Sequence, residues 1–222
     1  YKYDDFDLNT TTNRYTLKPT VATNGNARAS IQPGDAKYKD QNGDLTVNSS
    51  DYTVIGRGQP LHTGGFSNNF TYKGFDLNVF LQWSYGNDIL NANKLIFEGN
   101  TRNQGYLNQY ASYNDRWSAD NPTSDIPRTR GYTGAIGGYS SAVVEDGSFL
   151  RLKTVSLGYN FDKEFTSKIH LKSLRFYVSG QNLFTWTKYS GSDPEVNSYG
   201  SALTSGFDFS SYPRARTIVF GT

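Results

Sequence analysis

Residues 75–86 read FDLNVFLQWSYG, and their alternation decides the class of fold. Phe75, Leu77, Val79, Leu81, Trp83 and Tyr85 share one parity, while Asp76, Asn78, Phe80, Gln82, Ser84 and Gly86 share the other. Successive side chains of an extended chain point to opposite sides, so a period of two over twelve residues describes a strand with one apolar face. Its length is informative too. Strands of globular domains run about 5–6 residues, whereas a strand tilted across a bilayer needs about 9–11.

Working outward, Phe66, Asn68, Phe70 and Tyr72 alternate in the same way just upstream, and Lys73-Gly74 suits a tight hairpin turn because Gly accepts positive φ. Downstream, Leu174, Phe176, Val178, Phe184 and Trp186 oppose Ser173, Arg175, Ser179, Gln181 and Thr185. Between Phe149 and Phe161 the apolar parity changes: Leu150 and Leu152 lie on one, Val155, Leu157, Tyr159 and Phe161 on the other, so a bulge is expected near Thr154. Five strands follow, at 66–73, 75–86, 149–161, 172–186 and 214–221. Residues 1–63 are expected to form an extracellular loop region and 64–222 the strand region. The links at 73–74 and 162–171 are short, and those at 87–148 and 187–213 are long and polar. Such alternation is that of outer-membrane barrels, with short periplasmic turns and long extracellular loops. Five strands cannot close such a barrel, and an open edge in lipid leaves backbone groups unsatisfied, so the expectation is one segment of a larger wall. A short helix is expected within 106–117.

Composition agrees. The chain has 222 residues, with 22 Lys and Arg against 20 Asp and Glu, and that balance excludes nucleic acid as a partner. It has no Cys, which removes disulfides and thiolate chemistry. It carries 14 Phe, 17 Tyr and 3 Trp, yet no apolar run long enough for a spanning helix. The absence of an initiator Met and of a leader predicts a mature or internal piece of a longer polypeptide.

One metal-ligand spacing stands out. Asp40, Asn42, Asp44, Asn48 and Asp51 place oxygen side chains at positions 1, 3, 5, 9 and 12 of a calcium-type loop, and Thr46 at position 7 can offer its carbonyl. Val47 would anchor the loop to a core. Leu45 stands where such loops use Gly, and Asp51 replaces the usual Glu. The alternative is an Asx-turn cluster with no ion.

Several stretches together resemble the C-terminal region of the SusC/RagA family of TonB-dependent outer-membrane transporters. They are GDAKYKDQNGDLTVNSSDYTVIG (34–56), GGFSNNFTYKGFDLNVFLQWSYGNDILN (64–91), VEDGSFLRLKTVSLGYNF (144–161), LRFYVSGQNLFTWTKYSGSDPEVN (174–197) and YPRARTIVFG (212–221). The resemblance covers roughly residues 30–221 in family order. It implies an all-β fold: the C-terminal segment of an antiparallel transmembrane barrel of about 22 strands with a plugged lumen. It also implies TonB-driven import of oligosaccharides or peptides, a SusD-like surface lipoprotein as partner, TonB contact through an N-terminal region outside this chain, and a structural calcium in the 40–51 loop.

No catalytic constellation appears. His62 and His170 lack acidic or Ser partners at catalytic spacing and are expected in loops. Asp115, Asp120 and Asp125 sit in an irregular stretch that fixes no separation between carboxylates. The GAIGG run at 134–138 lacks the strand and helix of a phosphate loop. Trp83, Tyr85 and Trp186 are expected at the membrane interface. Tyr106, Tyr110, Tyr113, Trp117, Tyr132 and Tyr139 crowd the long loop, for packing or for stacking on a ligand. The rival reading is a secreted, calcium-stabilised carbohydrate-binding β-sandwich. A dockerin-like module would need a second calcium loop and flanking helices, and one loop is present.

Overall fold

The computed structural model describes residues 1–99, 105–132 and 138–222. The GAIGG run lies outside these apart from Gly138. The chain divides into two compact units interleaved in sequence, residues 1–56 with 90–144 and residues 57–89 with 145–222. Almost all of the long 87–148 connection, residues 90–144, joins residues 1–56 in the first of these units.

In the first unit, β1 (Phe6–Asn9) and β2 (Arg14–Leu17) pair antiparallel, Phe6 opposite Leu17. This hairpin closes a small core of Tyr1, Phe6, Leu17 and Ile31. Four-residue strands leave too little alternation for this hairpin to be read from sequence. Helix α1 (Ala92–Phe97) supplies Leu95 to a second core with Tyr132 and Val143. In 106–117 the helical turn is a 3-10 turn at Ala111–Asp115.

The second unit carries a five-stranded antiparallel meander: β3 (His62–Tyr72), β4 (Phe75–Tyr85), β5 (Phe149–Asn160), β6 (Arg175–Thr187) and β7 (Thr217–Gly221), each beside its neighbour in sequence. Lys73 and Gly74 turn β3 into β4 with φ of 45° and 85°, the twist that two-residue hairpins favour. The 161–174 link is not plain loop. It contains α2 (Lys163–Lys168), whose N-terminus is capped by Asp162 accepting from the Phe165 N–H at 2.7 Å. β3 starts at His62, earlier than alternation indicated. Gly64 and Gly65 lie within it: rings from β4 lie over them, and an added Cβ would clash with Trp83 at the first and with Phe80 at the second.

The bulge falls on Lys153. Leu152 pairs with Leu81 and Thr154 with Phe80, leaving Lys153 without an opposite on β4. On the other side, Leu152 pairs with Phe184 and Thr154 with Gln181, so β6 inserts two residues, Asn182 and Leu183, where β5 inserts one. One extra residue switches the parity of β5; two extra residues preserve that of β6. Leu150, Leu152, Val155 and Leu157 thereby share a face with Leu77, Val79 and Leu81.

Candidate functional site

The two faces of the sheet differ in chemistry. On the apolar face, the row Trp83–Leu150–Trp186 crosses β4, β5 and β6 at the end from which the long connections leave, and Phe75–Tyr159–Phe176 crosses them at the opposite end. Leu77, Leu157 and Val178 lie between these rows. Nothing in the unit covers this face: Phe66, Phe70, Phe184 and Trp186 are each more than half exposed. A sandwich would bury them under a second sheet. From Phe75 to Tyr85 the strand runs roughly 33 Å, or about 25 Å along the normal at a tilt of about 40°, the height of an outer-membrane apolar band. Aromatic rows at both ends of an aliphatic band are the pattern of interfacial girdles.

His62 belongs to the upper girdle rather than to a loop. It pairs with Tyr85, stacks on that ring at 5.1 Å, and accepts a hydrogen bond at Nδ1 from Trp83 Nε1 at 3.1 Å. At the lower girdle Phe75 meets Tyr159 at 4.6 Å, and Phe161 meets both Phe165 of the α2 turn and Phe176. His170 lies just past α2 with φ of 59°.

The polar face carries an ion cluster. Arg151, almost wholly buried, donates to Asp193 and lies 3.1 Å from Glu195; Glu195 also faces Arg214 at 3.0 Å and Lys153 at 3.5 Å. Burial alone would raise the Asp193 carboxyl, but Arg151 and the N–H groups of Arg214 and Glu195 outweigh it and hold it below the ordinary carboxylate value. The polar stretch 190–197 thus folds against the sheet. Sequence reading had no signal for it, since the partners are 42 residues apart.

In the first unit, the 40–51 loop is built on side-chain-to-backbone bonds. Asp40 accepts from the N–H groups of Gly43 and Leu45, Asn42 from Asp44, Asp44 from Thr46, and Asp51 from Gln41 and Asn48. The Asn48 and Gln41 N–H groups hold the Asp51 carboxyl low. Leu45 adopts φ of 63°, so the position that usually needs Gly has the left-handed turn anyway. Val47 is buried. Among the described residues, no group of three acidic or His side chains gathers into a cage for a metal.

The aromatic residues of the long connection are mostly engaged in packing. Trp117 lies on Tyr3 at 5.4 Å, Tyr110 on Phe97, and Arg116 over Tyr113; Tyr132 is buried. Tyr106 and Tyr139 stay exposed. Asp115 contributes its backbone carbonyl, which accepts from Asn121 and Ser124.

No known family profile matches the chain. Over 194 residues it is 39% identical to the TonB-dependent receptor P3 of Formosa agariphila, covering 85% of this chain and 19% of that protein. It is 29% identical over 192 residues to the TonB-dependent receptor SusC of Bacteroides thetaiotaomicron, covering 86% of this chain and 17% of SusC. The chain thus spans about a fifth of the length of these curated relatives. The solved RagAB peptide transporter is similar in backbone, with a TM-score of 0.62 at 26% identity over 78% of this chain and 19% of that one. Sequence and backbone agree over most of the chain: it belongs to the TonB-dependent receptors of the SusC/RagA family.

Proposed function

We propose that these residues form part of the wall and outer rim of a TonB-dependent importer in the bacterial outer membrane, moving oligosaccharides or peptides. The observation that carries this is the uncovered apolar face bounded by two aromatic rows. An exposed apolar surface of that extent is untenable in water and suited to lipid. Among the described residues, β3 and β7 each have one neighbour in the sheet, so the remaining strands of a closed wall and its plug come from chain outside these residues. The chain's work is binding and gated passage, with no bond made or broken. A SusD-like lipoprotein lids the outer end, and TonB engages a region outside this chain.

Calcium in the 40–51 loop belongs to the same reading. The hard oxygen donors of Asp40, Asn42, Asp44, Asn48 and Asp51, with the Thr46 carbonyl, suit that ion, and the left-handed turns at Gly43 and Leu45 are in place. The ion would tie the acidic side chains into one shell and stiffen the rim.

The test is to delete the full receptor gene in its own organism and measure growth and uptake on candidate oligosaccharides and peptides, with and without TonB, and to purify the tagged receptor. Loss of uptake of one cargo class in both deletions, with a surface lipoprotein co-purifying, is expected. Unchanged uptake of every cargo would overturn the proposal.

A further inference from the structure

We propose that the polar face around Arg151 is a binding site for a ligand bearing two carboxylates, and that Asp193 and Glu195 occupy it from within as a displaceable strap. The proposal rests on the reading that this face lines the import path.

Three cations converge here, Arg151 and Lys153 from β5 and Arg214 from just before β7, against the two acids of the Asp193-Pro194-Glu195 segment. The cluster keeps an excess positive charge. Its donors are not exhausted either: a guanidinium offers five N–H groups, and Arg151 Nε meets no acceptor among the described residues although the side chain is 2% exposed. The site can satisfy more oxygen atoms than the strap presents.

The two acidic side chains of the strap are held by ion pairs. Pro194 between the two acids is buried and Tyr189 is buried upstream of them, but what holds the carboxylates themselves is the basic cluster. Gln82 of β4 reaches Glu195 only at 3.4 Å. A tie made of ion pairs is one that another pair of carboxylates can replace bond for bond. Vacating it without replacement would leave Arg151 buried and uncompensated, which is costly. The strap therefore stays closed until a matching ligand arrives, and the ligand's apparent affinity is reduced by the closed fraction. Asp193 and Glu195 meet the two terminal nitrogens of the one Arg151 guanidinium, so the ligand must bring its two carboxylates together on that group. An acidic peptide and an acidic oligosaccharide share that chemistry.

The experiment uses the intact receptor in detergent, with triglutamate and trigalacturonate as probes and trialanine and a neutral galactose trisaccharide as controls. Calorimetry measures binding, and hydrogen exchange follows residues 190–197. At least one acidic probe is expected to bind and to speed exchange in 190–197, and the responding arm identifies the source. The D193N/E195Q double variant is expected to bind that probe at least tenfold more tightly, because the internal competitor is gone. Arg151→Gln should abolish binding; since it removes a buried group and can disturb the sheet, Lys153→Gln on a partly exposed side chain should weaken binding several-fold in a normally folded receptor. Acidic probes that bind no better than the controls, binding that leaves 190–197 unchanged, or a double variant that binds no more tightly would each overturn the proposal. Labelling separates this from the underlying reading. If Leu77→Cys reacts with a water-soluble maleimide while Asn78→Cys does not, the assignment of the two faces fails first, and this proposal with it.

Discussion

Asp76 on β4 and Arg175 on β6 meet at 2.6 Å across the strand between them, passing over Gly158 of β5. A Cβ at Gly158 would lie 2.5 Å from the Arg175 guanidinium and 2.6 Å from both Asp76 oxygens. The glycine is the gap through which the bridge runs, and Asn160 adds a further bond to Asp76 at 2.9 Å. Gly158→Val should therefore separate the pair and lower the temperature at which the purified receptor loses its compact, heat-modifiable gel mobility by a few degrees. Asp76→Asn should give a smaller drop, and no drop in either variant would show that the bridge ties nothing.

Deleting Lys153 removes the single extra residue that sets the parity of β5. Leu150, Leu152, Val155 and Leu157 would then alternate in a plain strand and keep one face; deleting Lys153 and Thr154 together would instead turn one of the two pairs to the polar face, since a one-residue slip exchanges the faces. The expected outcome is that the single deletion reaches the outer membrane and the double deletion does not, read by quantitative blotting of membrane fractions. Lys153→Ala keeps the count and should assemble.

Leu45 holds φ of 63° at a cost of roughly 1–2 kcal/mol relative to a right-handed residue. Leu45→Gly relieves that cost, so calcium should protect residues 40–51 from protease at lower concentration in this variant than in the parent. Asp40→Ala, which removes the acceptor for the Gly43 and Leu45 N–H groups, should abolish protection. Equal protection with and without calcium in the parent would remove the ion from the account.

The strap has a predictable response to acid. The Asp193 carboxyl titrates lower in the folded chain than when unfolded, so its contribution is complete above the ordinary carboxylate value of 3.8 and is lost as pH falls through the lower folded value. Hydrogen exchange of 190–197, corrected for intrinsic rate, should be flat from neutral pH to about that value and should rise only below it. Loosening near neutral pH would contradict the assignment of Asp193 as the tie.

Much of the wall was legible because a half-apolar strand repeats every two residues: Phe75–Tyr85 declares its face, Lys73-Gly74 its turn, and the switch between Leu152 and Val155 its bulge. Three features were not. Gly64 and Gly65 look like breakers until the rings of Trp83 and Phe80 are placed over them. The last strand starts at Thr217 instead of Arg214, because Arg214 is drawn to Glu195 and Asp193 rather than to a neighbouring strand. The Arg151 cluster joins residues with no local relation, and one polar side chain on a polar parity announces nothing until a distant loop closes on it. The 40–51 loop shows the limit differently: spacing reveals which oxygens are available, while turn formation alone engages the same atoms.

Single cysteines placed one at a time at residues 77 to 82 of the intact receptor, otherwise free of cysteine and embedded in its membrane, test the central claim most directly. The account predicts strict alternation: 77, 79 and 81 react with a lipid-soluble maleimide and resist a water-soluble one, and 78, 80 and 82 show less lipid-phase labelling. Uniform labelling along the strand, or the opposite alternation, would contradict it.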